Sequence, residues 1–257
     1  MKWARAAVGS SGALVLLGGW ELASRTGLVD ARYLPPPSEV LLELLTVVGA
    51  AGFWIDVGRT MTNWAVGLTT AIAAGCTLGL LIGSSGFLRR FTHSTIEFLR
   101  PIPSVALIPL AVLLFGTRMG SALMLIVYAS FWQVLLQVLY GVADVDAIAD
   151  EAARSYGLGR AARMRYVVWP TVLPYLMTGI RLAAAVALIL AITAELIIGT
   201  PGLGKQIALA ESGGAATEMY ALIVVAGLIG VIINFGMRAL ERHLLAWHTS
   251  VRMDIAA

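Results

Sequence analysis

The sequence predicts an all-α membrane protein with six transmembrane helices. Hydrophobic residues make up 59% of the 257 positions and charged residues only 13%, about half the charged share of a typical soluble domain. Long apolar runs alternate with short polar connections, as in a chain that crosses a bilayer repeatedly. The basic residues are also unevenly distributed between alternate connections, which gives a third, independent indication of a membrane protein.

The whole chain, residues 1–257, is predicted to form a single transmembrane domain. We place the six spans at about residues 6–24, 60–84, 102–115, 121–142, 174–198 and 219–240. The first span follows Lys2 and Arg5 as a signal peptide would, but no clean small-x-small cleavage site follows, so we expect it to be retained. After three prolines at 35–37, a short apolar segment with Ser38 as its predicted N-cap is too short to cross and is expected at the membrane surface.

Glycine and proline mark two further features of the predicted spans. Gly75, Gly79 and Gly83 recur at four-residue spacing in the second span, which favours close packing against a neighbouring helix. The third apolar run is short and contains Pro109. Residues 199–218, after the fifth span, are interpreted as a Gly-rich loop.

The positions of the basic residues orient the chain in the membrane. With the N-terminus in the cytoplasm, 13 of the 18 Lys and Arg residues fall inside, and 5 fall outside, which satisfies the positive-inside rule. The inner group includes Arg89, Arg90, Arg100 and, in the C-terminal tail, Arg252. Both termini are then cytoplasmic. Because the basic residues are sorted by membrane side, the net charge of +3 does not indicate nucleic-acid binding.

The connection at residues 143–170 carries more charge than any other stretch of its length. Asp146 is predicted to N-cap a helix that begins at Ala147, with Asp150 and Glu151 near its positive end. Gly157 lies where a left-handed C-cap would end that helix. Two interpretations stay open at this point: a solvated cytoplasmic loop, or a docking helix whose alanines allow a partner's backbone to approach closely.

One stretch resembles a phosphate-binding loop. Residues 199–205 read G-x-x-x-x-G-K, but Gln206 stands where a P-loop requires Ser or Thr to hold magnesium. The stretch also follows a membrane span and, by the charge distribution, lies outside the cell. We therefore exclude a nucleotide site here, and any ATP used by the protein must be bound by another chain.

Polar groups within the spans are candidates for a transport path or gate. Arg181 and Glu195 lie too far apart along the fifth span to touch. Arg181 is expected to extend towards the cytoplasmic interface, and Glu195 to face a cavity or a neighbouring helix in the outer half. Gln133 and Gln137 share one face of the fourth span. Hydrogen bonding between helices is the alternative role for all four.

The sequence contains no recognisable catalytic or metal-binding pattern. There is no Ser-His-Asp set, pair of catalytic carboxylates or HExxH motif, and Cys76 is the only cysteine. The three histidines lack metal-ligand spacing. An enzyme is therefore not indicated.

The charged connection resembles the EAA loop of binding-protein-dependent permeases, the membrane subunits of ATP-binding-cassette (ABC) importers. Glu151-Ala152-Ala153, three residues, Gly157 and nine further residues precede VVWP at 167–170, and the family pattern reads EAA-x3-G-x9-I-x-LP. Valine replaces isoleucine at 167, and tryptophan replaces leucine at 169. LPPPS at 34–38, FLRPIP at 98–103, TGIR at 178–181, AELI at 194–197 and GLG at 202–204 are similar to the nitrate/sulfonate/taurine branch. RALER at 238–242 with Trp247 and His248 is similar to the taurine permeases.

The resemblance implies a type I ABC importer permease fold with a cytoplasmic coupling helix, in the cytoplasmic membrane of a bacterium. It implies a homodimer of permease subunits in the lipid bilayer, two ATPase subunits that bind ATP and Mg, and an extracytoplasmic solute-binding protein. The chain itself would bind no cofactor and catalyse no reaction. The residues expected to couple it to the ATPase are Asp150, Glu151, Ala152, Ala153 and Gly157. Those assigned to the path or gate are Gln133, Gln137, Glu195 and Arg181.

The expected solute is a small anion, with taurine or another sulfonate preferred. Nitrate, bicarbonate, aromatic acids and thiamine precursors are alternatives within the same class, because the spans show no evident anion-binding cluster. An ion-coupled secondary carrier and a membrane anchor without a transport path are alternatives from other classes. The carrier would leave the alanine-rich helix unexplained.

Overall fold

The computed structural model describes residues 2–247, with the side chains of residues 2–10 and residue 13 outside the description. The side chains of Lys2 and Arg5 therefore lie outside the described part. His248 and Arg252 in the C-terminal tail also lie outside it.

The described chain is helical, with no strand among residues 2–247, so the prediction of an all-α protein is confirmed. The helices are α1 (Lys2–Arg25), α2 (Pro37–Gly49), α3 (Ala51–Gly83), α4 (Gly86–Leu99), α5 (Ile108–Phe115), α6 (Met119–Ala143), α7 (Ala147–Ser155), α8 (Arg160–Arg163), α9 (Trp169–Ile198), α10 (Leu203–Ser212) and α11 (Ala216–Leu244). A 3-10 turn at Ser104–Leu107 precedes α5, and a π-helical turn at Met164–Val168 joins α8 to α9.

Within the described residues, four helical stretches are long and apolar enough to cross a membrane. They are residues 51–83, 119–143, 160–198 and 216–244. Residues 86–99 and 104–115 form a fifth candidate that is bent by 82°, because Pro101 and Pro103 interrupt the helical hydrogen bonds between them. The assignment of α1 as a further span stays a prediction.

The chain divides into two compact units, Met1–Thr60 with Glu195–Leu228, and Met61–Ala194 with Ile229–Ala257. In the first unit, Glu21 of α1 fixes the start of α2. Its carboxylate accepts from the backbone N–H of Ser38 at 3.1 Å and from the Ser38 hydroxyl at 2.8 Å. The predicted N-cap role of Ser38 is wrong, since α2 begins at Pro37 and the Ser38 side chain binds Glu21 instead.

In the second unit, α3 and α6 run in the same direction and pack closely through the predicted glycine face. Gly75, Gly79 and Gly83 lie against Val134, Val138 and Val142, respectively. A Cβ atom at each glycine would come within 2.9 Å of the Cβ of its valine, closer than packed carbon atoms approach. The predicted packing role of these glycines is confirmed.

Helix α9 packs closely in the second unit through its alanines. The indole N–H of Trp64 in α3 donates to the carbonyl of Ala184 at 2.9 Å, and the Ser130 hydroxyl of α6 donates to the carbonyl of Ala183 at 3.3 Å. Ala183 and Ala184 are fully buried. Small side chains on α9 therefore let groups from two neighbouring helices reach its backbone.

Candidate coupling helix and polar sites of the spans

Helix α7 begins and ends as its sequence predicts. The backbone N–H of Ile148 donates to the Asp146 carboxylate at 2.9 Å, so Asp146 caps the first turn. Gly157 has a φ of 77°, the left-handed conformation that terminates a helix. The N-cap and C-cap predictions are both confirmed, and they define a nine-residue helix at Ala147–Ser155.

One side of α7 is open to the surroundings and carries large apolar groups. Ile148 is 77% exposed and Tyr156, just after the helix, is 85% exposed, with the exposed Ala152 between them at four-residue spacing. Residues at this spacing share one face of a helix. Glu151 is also exposed, whereas Ala153 is buried within the chain. The three residues of the EAA sequence therefore do not all face the same way.

Asp150 holds α7 to the segment that follows it. Its carboxylate accepts two hydrogen bonds from Arg163 of α8, at 2.7 and 3.0 Å, and one from Arg154 at 2.8 Å. The hydrogen bonds from Arg163 lower the pKa of Asp150 below its ordinary value, and the hydrogen bond from Arg154 lowers this pKa further. Asp150 was predicted to contact the ATPase, and its observed contacts are within this chain.

A second contact fixes the two ends of the connection that carries α7. The hydroxyl of Tyr175 in α9 donates to the carboxylate of Asp144, the C-cap residue that follows α6, at 2.9 Å. Gly141 lies beside the same tyrosine, where a Cβ atom would meet the Tyr175 Cβ at 3.1 Å. The helix before α7 and the helix after it are thus joined next to the connection.

Glu195 caps a helix that the sequence analysis did not predict. It is fully buried, and its carboxylate accepts from the Thr60 hydroxyl at 2.7 Å and from the backbone N–H of Gly204 at 3.1 Å. The N–H of Leu203 donates to the Thr60 hydroxyl oxygen at 2.9 Å. The predicted loop at 199–218 is therefore wrong, since the paired side chains of Thr60 and Glu195 satisfy the free N–H groups at the start of α10.

The same contacts occupy backbone N–H groups of the G-x-x-x-x-G-K stretch. The N–H groups that would face a phosphate are taken by the protein's own hydroxyl and carboxylate. Gly202 has a φ of 156°, and a Cβ atom there would overlap the Glu195 carboxyl group. Gln206, which stands in the magnesium-ligand position of a P-loop, donates to Asp56 at 2.6 Å.

The other three predicted path residues make contacts between helices. Arg181 of α9 forms an ion pair with Glu241 of α11 at 3.0 Å, and its expected extension towards the cytoplasmic interface stays a prediction. Gln133 and Gln137 line the part of α6 that faces Gly179, where a Cβ atom would lie 3.0 Å from the Cβ of Gln137. Both glutamines are partly exposed.

The sequence analysis missed a charged face on α4. Arg89, His93, Glu97 and the following Arg100 line a cavity of about 690 Å³ with side chains of α6. These residues were interpreted as part of a cytoplasmic connection. Their spacing of four, four and three residues, typical of one helix face, was the signal that could have revealed them.

These features define the class of protein. A chain with several membrane-length helices carries a short capped helix with an exposed apolar face on a connection between two of them. Residues 71–246 match the family described as "Binding-protein-dependent transport system inner membrane component". The chain belongs to this family, and it is the non-catalytic, multi-pass inner-membrane permease subunit of an ABC importer.

Two relatives and one solved structure give the scale of the similarity. The taurine transport system permease protein TauC of Escherichia coli K12 is 35% identical over 243 residues, which cover 93% of this chain and 88% of TauC. The nitrate import permease protein NrtB of Synechocystis is 25% identical over 236 residues, 88% of this chain and 85% of NrtB. An inward-facing structure of the MetNI methionine ABC transporter has a TM-score of 0.64 at 20% identity, covering 75% of this chain and 95% of that one. At that identity the match shows the fold.

Proposed function

We propose that this permease imports a small sulfonate, with taurine as the preferred solute, and that α7 transmits the ATPase cycle to the spans. The observation that carries the coupling role is α7 itself, a helix capped at both ends that exposes Ile148 and Tyr156 beside Ala152. The solute assignment is supported by the 35% identity to TauC. The similarity to NrtB keeps nitrate as the second candidate.

The proposed coupling is a helix-in-groove contact. Ile148 and Tyr156 would enter an apolar groove on the ATPase, and Ala152 between them would allow close approach of the partner's backbone. Asp150 and Arg163 would act as positioning residues, because their ion pair makes α7 and α8 move together. Closure of the ATPase around ATP would then shift the permease between inward-open and outward-open states.

The assembly is proposed to contain two copies of this chain, two ATPase subunits and one extracytoplasmic solute-binding protein. ATP and Mg would be held by the ATPase subunits, and both termini of the permease would be cytoplasmic. Among the path residues, Gln133 and Gln137 are the better candidates for lining the route. Glu195 and Arg181 are better suited to holding helices in place, since each is engaged with another side chain.

Co-purification and uptake test this function. The chain, expressed with the ATPase and binding protein of its own system, should be recovered with the ATPase in a 1:1 ratio. Proteoliposomes containing ATP should take up labelled taurine when the binding protein is added outside, and excess nitrate should not compete. Recovery without an ATPase, together with uptake driven by an ion gradient, would identify a secondary carrier instead.

A further inference from the structure

A half-enclosed cavity lies between α4 and the C-terminal half of α6, and we name it the α4 cavity. Its volume is about 690 Å³, within the size range of small-molecule sites. Its charged wall consists of Arg89, His93, Glu97 and Arg100. None of these four residues has a part in the coupling contacts described above.

The α4 cavity is lined on the α6 side by the last two turns of that helix, from Leu136 to Ala143. The hydroxyl of Tyr128 in α6 donates to the backbone carbonyl of Leu99, the last residue of α4, at 2.6 Å. Tyr128 precedes the C-terminal end of α6 by about 15 residues, or roughly 22 Å. The C-terminal end of α4 is therefore beside the middle of α6, while the side chain of Arg100 lines the cavity at the C-terminal turns of α6.

The charges in the α4 cavity are of both signs and are closely spaced. Glu97 lies 3.4 Å from the imidazole of His93, measured from Oε2 to Nδ1. Arg100 follows three residues later, so that its side chain starts on the same face of the helix. Arg89 and Arg100 attract an oxyanion to this wall, and Glu97 attracts a cation. A ligand that carries an ammonium group a few carbons from an oxyanion would satisfy both.

The opposite wall of the cavity is apolar. It is formed by apolar and aromatic side chains of α6, namely Leu136, Leu139 and Tyr140. The charged side chains opposite it stay accessible to solvent, with His93 64% and Glu97 70% exposed. The same wall offers apolar surface to a short carbon linker.

We propose that the α4 cavity binds a small zwitterion in which an ammonium lies two or three carbons from a sulfonate or phosphate. Arg100 holds the oxyanion, and Glu97 holds the ammonium. The inference rests on the proposed function, because taurine is such a zwitterion. The headgroup of phosphatidylethanolamine carries the same two groups, so the solute and a membrane lipid are the two sources to be separated.

The first arm measures labelled taurine binding to the purified permease–ATPase complex in phosphatidylglycerol nanodiscs, without the binding protein. We expect saturable binding, with ethanesulfonate, which lacks the ammonium, competing at least tenfold more weakly than unlabelled taurine. Arg100→Gln and Glu97→Gln should each weaken taurine binding at least tenfold, and Glu97→Gln should also abolish the preference over ethanesulfonate. Arg90→Gln is the matched control, because Arg90 is exposed on α4 outside the cavity wall, and it should bind within twofold of wild type.

The second arm uses nanodiscs that also contain phosphatidylethanolamine, with retained lipid measured by native mass spectrometry. Retention that depends on Arg100 and Glu97 and resists taurine would support the same chemistry with the lipid as its source. The proposal would be overturned if the wild type bound neither taurine nor the lipid, or if both variants bound them as the wild type does. Competition by ethanesulfonate equal to that by unlabelled taurine would also overturn it.

ATPase stimulation by the binding protein separates this inference from the proposed function. Suppose that the binding protein stimulates the ATPase activity of the wild-type complex, but Arg100→Gln and Glu97→Gln bind taurine as the wild type does. The importer assignment then stands, and the α4 cavity site is excluded. A wild-type chain that recruits no ATPase removes the importer assembly itself. Recovery of each variant with the ATPase shows that it has folded.

Discussion

At the scale of single residues, the contacts of Glu195 explain why the backbone after Gly202 forms a helix. Its buried carboxylate is held by the Thr60 hydroxyl at 2.7 Å, although the two residues are 135 positions apart in sequence. Gly202 leaves the space that the carboxyl group occupies. A glycine-rich stretch therefore begins a helix here instead of a loop.

Gly202→Ala should destabilise the protein. The new Cβ would overlap the Glu195 carboxyl group, and alanine would be strained at a φ of 156°. The two effects together would lower the free energy of unfolding by about 2–3 kcal/mol. The midpoint of thermal unfolding in detergent should fall by several degrees. Gly227→Ala is the matched control, since open space surrounds that glycine in α11, and it should unfold at or above the wild-type temperature. An unchanged midpoint for Gly202→Ala would contradict the proposed contact.

Asp150 gives a pH dependence with a defined sign. Because its pKa is lowered below the ordinary value of 3.8, the ion pair contributes stability above that value, and the contribution is lost as the pH falls through the lowered pKa. The amides of α7 should therefore have similar protection factors against hydrogen exchange at pH 7 and pH 5. These protection factors should fall only below about pH 3.8.

Asp150→Asn supplies the comparison for that measurement. It should expose α7 to faster exchange at every pH from 5 to 7, because the charge that Arg163 and Arg154 bind is removed. Glu151→Gln, a matched change at an exposed neighbour, should leave exchange unchanged. Loss of protection between pH 7 and pH 5 in the wild type would show that the Asp150 carboxylate does not anchor the helix.

At the scale of the elements, a helix end or packing face could be predicted from the sequence when nearby residues determine it. The ends of α7 could be predicted because Asp146 and Gly157 act on their own turns of helix. The glycine face of α3 could also be predicted, since its four-residue spacing is visible in the sequence. The start of α10 could not be, because its capping groups come from distant residues. The cavity beside α4 could not be predicted either, because it forms only where α4 packs against the distant helix α6.

The packing of α3 on α6 leads to a test at this scale. Gly79→Ile should force apart the two helices at Val138, where even a Cβ atom is too close, and overpacking of this kind costs about 1–3 kcal/mol. The yield of monodisperse protein and its thermal midpoint should both fall. Gly58→Ile in the same helix is the control, because nothing lies within 4 Å of its Cβ position. Equal losses in the two variants would indicate a general effect of isoleucine.

At the scale of the whole molecule, family and fold were accessible from the sequence, and the solute chemistry was much less so. The pattern around Glu151 and Gly157 pointed to an ABC importer permease, and the family match over residues 71–246 confirms it. The α4 cavity depends on tertiary packing that brings α4 beside the C-terminal turns of α6. For that reason, its mixed charges were invisible as a site in the linear sequence.

The central claim is that α7 transmits ATP hydrolysis to transport, and Ala152→Trp tests it most directly. Tryptophan in the middle of the exposed face would prevent close docking, whereas Ala147→Trp, an exposed position on another side of the same helix, is the matched control. The measurement is ATPase activity of the reconstituted complex with and without the solute-binding protein, alongside uptake. The account predicts at least tenfold loss of stimulation and uptake for Ala152→Trp, with near wild-type values for Ala147→Trp. Full stimulation and uptake in Ala152→Trp would contradict it.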